Sequence, residues 1–92
     1  MAKAVITFKL MPESPEVDLN KIEQNGLEIA KENGAIGDMV SEQKALAFGI
    51  KYILIKAMYE VEGSDFEKIS DLMAEIEGVQ NANIENMDLA LG

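Results

Sequence analysis

The 92-residue chain has no cysteine, no histidine, no arginine and no tryptophan. Lacking cysteine, it has no disulfide, no thiolate zinc site and no thiol nucleophile. Lacking histidine, it loses the commonest general base and the commonest metal ligand. Without arginine there is no bidentate fork for a phosphate or a guanine. No apolar run reaches the ~20 residues needed to span a bilayer. The opening Met1-Ala2-Lys3-Ala4 runs directly into an alternating segment and shows no signal peptide. A cytoplasmic protein with no membrane association is the expectation. The only aromatics are Phe8, Phe48, Phe66, Tyr52 and Tyr59, so the core must be mainly aliphatic.

What is abundant is negative charge. Seventeen acidic residues against eight lysines give a net charge of −9. That field disfavours phosphate backbones, so direct nucleic-acid binding is not expected, and a basic protein partner suits it better. The acidic residues Glu60, Glu62, Asp65, Glu67, Asp71, Glu75 and Glu77 lack the alternating oxygen ligands and central glycine of a calcium loop. A solvated helix face, with favourable charge at the helix start, accounts for them. No catalytic residue, metal or cofactor is assigned, and the chain is not read as an enzyme. The methionines Met11, Met39, Met58, Met73 and Met87 read as flexible core fillers. The length suits one domain, 1–92, of a size that buries about 60–65% of the surface of its unfolded chain.

Periodicity gives the elements. Ala4, Ile6, Phe8 and Leu10 alternate with Lys3, Thr7 and Lys9, the pattern of a half-buried strand over 2–11. The prolines of Met11-Pro12-Glu13-Ser14-Pro15-Glu16 lack ladder amides and break it. Leu19, Ile22, Gly26, Ile29, Ala30 and Asn33 then fall on one helical stripe, with Asp18 or Ser14 as cap and Gly34 as stop. A close approach to the sheet would explain Gly26. An irregular second strand is expected within 35–45. From Phe48 to Val61 both faces are mainly apolar, Ile53, Ile55, Ala57 and Tyr59 on one and Tyr52, Leu54, Lys56 and Met58 on the other, which predicts a central strand. Ser64-Asp65-Phe66-Glu67 reads as a capping box before a helix with apolar Phe66, Ile69, Leu72, Met73 and Ile76, ended by Gly78. A last strand runs from Val79 to Leu91.

The order strand, helix, strand, strand, helix, strand is the split βαβ arrangement. It predicts an α+β, ferredoxin-like fold, a four-stranded antiparallel sheet with two helices on one face. Many unrelated activities use that fold, so specific residues must carry function. Phe48-Gly49-Ile50-Lys51-Tyr52 has the look of an RNA-binding aromatic strand, but the acidic composition argues against that reading. Metal-chaperone relatives need paired cysteines, and acylphosphatase-like catalysis needs an arginine.

Two phrases go further. Residues 8–19 read FKLMPESPEVDL and residues 45–55 read ALAFGIKYILI. In this order and spacing the chain resembles the archaeal elongation factor 1-beta family, from the first strand to the end of the second helix. Its Gly49-Ile50-Lys51 is similar, more weakly, to the C-terminal catalytic domain of the eukaryotic exchange factor. Three features depart from the family: Lys44-Ala45 where a proline usually stands, Gln24-Asn25-Gly26 in the first helix, and the C-terminus. In the eukaryotic relatives a lysine near the chain end enters the magnesium site of the GTPase. This chain ends Asn86-Met87-Asp88-Leu89-Ala90-Leu91-Gly92, and Leu89 stands near that position.

The resemblance implies a nucleotide-exchange factor for the GTPase elongation factor 1-alpha, acting as a monomer. It nominates Phe48, Gly49, Ile50 and Lys51 as partner contacts, with Met87, Asp88 and Leu89 as a second segment. Phe48 also admits packing under the sheet, Gly49 a plain turn, and Lys51 simple solvation. The competing class is a ferredoxin-like module that senses a small molecule or dimerises through its sheet edges.

Overall fold

The computed structural model describes residues 2–90. In chain order the elements are β1 (Lys3–Pro12), α1 (Leu19–Glu32), β2 (Ile36–Ala45), β3 (Lys51–Glu60), α2 (Phe66–Ala74) and β4 (Val79–Ala90). The strands form one antiparallel sheet in the order β2-β3-β1-β4. This is the expected ferredoxin-like α+β arrangement, with β1 and the doubly apolar β3 at its centre.

The core lies on one face of the sheet, beneath the two helices. Ala4, Ile6, Phe8 and Leu10 of β1 share it with Ile53, Ile55, Ala57 and Tyr59 of β3, Ile22 and Ala30 of α1, and Ile69 and Met73 of α2. Tyr59 anchors one end of this core. Its ring meets Phe8 edge-on at 6.3 Å and Phe66 at 5.6 Å. Its hydroxyl donates to the Ala30 carbonyl across 3.4 Å, and burial pushes its pKa up to about 12. A Cβ added at Gly26 would collide with Ile55 Cδ1 and lie 3.4 Å from Leu10 Cδ2, so this glycine lets α1 sit close on the sheet.

The Asp18 carboxylate caps α1 by accepting from the Lys21 amide. Four details differ from the sequence reading. β1 continues through Pro12, which sits at a register shift against β4, where a missing ladder amide is tolerated. β2 is a full ten residues, with its irregularity confined to a register shift between Ile36 and Val40. The capping box at Ser64 does not form. Asp65 caps α2 instead, accepting from the Lys68 amide, and the helix ends at Ala74, before Gly78. β3 starts at Lys51 rather than Phe48, because two successive positive-φ residues, Phe48 and Gly49, cannot continue a pleat. Leu91, the expected end of the last strand, lies outside the described residues.

Strand direction gives the sheet two ends. β1 and β2 finish at one end, the tip, which therefore holds the β1–α1 loop, the β2–β3 loop and the start of β4. The other end holds the start of β1, the β3–α2 loop and the finish of β4.

Candidate partner-binding surface

The tip is dominated by the loop 46–50. The Leu46 amide donates to the Ile50 carbonyl at 2.6 Å and closes it. A single 3-10 turn, Ala47–Gly49, fills the interior, with Phe48 at φ 62 and ψ 32. That left-handed conformation costs an L-residue about 1–2 kcal/mol, and a bulky side chain seldom adopts it. The strained backbone aims the ring outward. Phe48 is 96% exposed, so packing under the sheet is excluded.

Gly49 follows at φ +75 with open space where a Cβ would stand, so its role is conformational rather than close approach. Ile50 is half-buried and Lys51 is exposed. Lys51 pairs with Ala45, which places it on the helix side of the sheet. Together with Gly49 it borders a shallow recess formed by Pro12, Ser14, Pro15 and Leu19, so the Met-Pro loop and the Phe-Gly loop form one continuous surface.

The second nominated segment lies elsewhere. Met87 pairs with Ile6 and Leu89 with Ala4, on the helix side of β4 near its finish. They are 50% and 66% exposed. Asp88 faces the opposite side, paired with Val5, and accepts a hydrogen bond from the Asn86 side chain at 2.9 Å. A ten-residue strand such as β3 rises roughly 33 Å, in a molecule 42 Å long. The structure thus gathers Phe48, Gly49, Ile50 and Lys51 at the tip and leaves Met87, Asp88 and Leu89 at the far end.

Sequence reasoning passed over Leu46, which is 45% exposed beside Phe48 at the tip. The available signal was an apolar residue directly after the last paired residue of a strand.

The α+β fold thus presents an exposed aromatic at a loop tip. Comparison with known proteins identifies the family. The family model for the EF-1 guanine nucleotide exchange domain matches residues 5–89. Elongation factor 1-beta of Thermoplasma volcanium is 32% identical over 97% of this chain and 99% of that protein. The proteins of the same name from Methanocorpusculum labreanum and Archaeoglobus fulgidus are each 33% identical, over 99% and 97% of this chain and 100% and 99% of their own lengths. The chain belongs to the EF-1 guanine nucleotide exchange domain family, and its role is guanine nucleotide exchange in translation elongation. The match extends to Leu89 in β4, past the second helix, where the sequence resemblance stops. It does not favour the metabolite-sensing alternative. Among the described residues, no helix is long and apolar enough to cross a membrane.

Proposed function

We propose that this chain acts as one exchange domain, 1–92, a cytoplasmic monomer that promotes replacement of GDP by GTP on elongation factor 1-alpha. It makes and breaks no covalent bond. By binding the nucleotide-free GTPase more tightly than the GDP-bound form, it weakens GDP binding in equal measure. The route is to disturb the switch loops and the magnesium ion that neutralises the phosphates, which speeds GDP release.

The observation that supports this reading best is Phe48, an aromatic held almost fully in solvent by a backbone conformation that costs free energy to maintain. Nothing inside the domain gains from that arrangement, whereas a partner offering an apolar pocket does. Gly49, Ile50 and Lys51 extend the same contact. Met87, Asp88 and Leu89 serve as a second contact on a partner long enough to reach both ends of the sheet.

The test is release of fluorescent GDP from a matched archaeal elongation factor 1-alpha in magnesium buffer. An acceleration that grows with the concentration of this chain is expected. A demonstrably active GTPase whose GDP release is unchanged at saturating factor would reject the exchange role.

A further inference from the structure

We propose that the tip half of the open sheet face, the face away from the helices, is a docking site for single-stranded RNA. The inference does not depend on which GTPase the domain serves. It starts from how the register distributes charge. Four of the eight lysines, Lys3, Lys9, Lys44 and Lys56, lie on the open face, where the paired positions hold Glu42, Glu60 and Asp88 among the seventeen acids, and Asp38 and Glu85 fall at the two register shifts beside it. At its paired positions the tip half holds Lys9, Lys44 and Lys56 against Glu42, with the unpaired Glu85 at the β4 bulge beside Thr7. The excess of negative charge therefore belongs to the helix layer and the loops. The molecule is about 20 Å across its shorter axes, 21 and 19 Å, whereas the Debye length is about 8 Å at physiological salt. A strand lying on the open face is governed by the lysines beneath it, and the net charge of the chain is a poor guide to that face.

The same patch carries the other groups that a single strand uses. Tyr52 sits between lysines, with Lys44 as its cross-strand partner and the Lys9 ammonium 4.8 Å from its ring centroid. That ring offers a stacking platform for a base once Lys9 moves to a phosphate. Asn81 and Asn83 of β4 are exposed alongside Met11 and Lys9. Their amides both donate and accept, as pairing with a ribose 2′-hydroxyl requires. Cations, an aromatic face and free amides within one half-sheet form a platform for a phosphate-linked strand with unpaired bases.

The test is fluorescence anisotropy of a labelled ten-nucleotide uridine RNA titrated with the intact chain at 50 and 200 mM KCl. Three lysines on a single strand give a salt slope of about two, so binding should weaken roughly twentyfold between these conditions. The double variant K44E/K56E should lose at least tenfold in affinity; both side chains are exposed, so the fold is preserved, and circular dichroism checks this. Tyr52→Ala should lose about tenfold. Lys31→Glu, on α1, should bind as the parent does. Absence of binding at 50 mM KCl, unchanged binding by K44E/K56E, or an equal loss in Lys31→Glu would each overturn the proposal. Equal affinity for the matching deoxyuridine strand would overturn the choice of RNA. Concentration-dependent mass of the protein alone, with no RNA bound, would make this face a self-association surface and overturn it as well.

Discussion

The tip loop and the far end of β4 both leave apolar side chains in water, but by different means. At the tip, Phe48 is exposed because its backbone is held in a left-handed turn closed by the Leu46–Ile50 hydrogen bond. Its exposure is imposed at an energetic cost and fixes one direction for the ring. At the far end, Met87 and Leu89 belong to an edge strand in register with Ile6 and Ala4, and are left outside the core that Ala82 and Ile84 of the same strand join. Their exposure is what remains where packing stops. Strain maintained with no internal benefit points to a partner, whereas an uncovered strand end is common on any sheet.

That difference predicts an unequal division of binding energy. Phe48→Ala should weaken binding to elongation factor 1-alpha by about 2–4 kcal/mol, the range of a buried aromatic anchor. Exchange at sub-saturating factor should fall in parallel, with little change in thermal stability because the ring packs against nothing. Stopped-flow GDP release and a thermal melt measure the two quantities separately. The double variant Met87→Ala/Leu89→Ala should lose no more than about 1 kcal/mol of affinity, as expected for peripheral apolar contacts. Because the two ends lie a strand length apart, combining all three substitutions should give losses additive to within roughly 0.5 kcal/mol. A far-end effect larger than that of Phe48→Ala would reverse the comparison.

The two regions were also unequally legible in the sequence. The alternation of Ala4 to Leu10 and the double-sided run of Ile53 to Tyr59 identify the central strands, because a buried face enforces period two. The helical stripes do the same for α1 and α2, and Gly26 could be read as a close approach because little else puts glycine inside such a stripe. Phe48 was legible only as an apolar residue near a strand entry. Its orientation depends on a positive φ that Gly49 hints at but that an aromatic seldom shares, so local preference could not decide between core and solvent. The capping residue was missed by one position because Ser64 and Asp65 are both competent caps and tertiary packing chooses between them. The sorting of lysines onto the open face was invisible to a net-charge argument. It appears only once strand order and register bring Lys9, Lys44 and Lys56 together from three separate strands.

The strain itself can be measured without any partner. Phe48→Gly removes the left-handed penalty that Phe48→Ala retains, so the glycine variant should be the more stable of the two by about 1 kcal/mol in urea denaturation. Both variants lack the ring and should bind the GTPase equally poorly. Equal stabilities would mean that the loop is not strained and that the contrast with the far end is one of position alone.

The smallest expected effect tests whether the far end is silent because of its geometry or because of its residue. On the proposed reading, Leu89 takes the place of the lysine that the resemblance assigns to the magnesium site in eukaryotic relatives, and its side chain is 66% exposed. Leu89→Lys therefore supplies the missing charge without disturbing the core. A solvent-exposed charge is screened and contributes about 0.5–1 kcal/mol, which corresponds to a two- to fivefold faster GDP release at saturating factor. The gain should disappear in a GTPase from which magnesium has been stripped by chelation, because an ammonium group that competes with the ion has nothing left to displace. A gain that persists without magnesium would mean that the new lysine only adds surface attraction to the complex. No gain at all would mean that the finish of β4 does not face the nucleotide site, leaving the tip as the working contact.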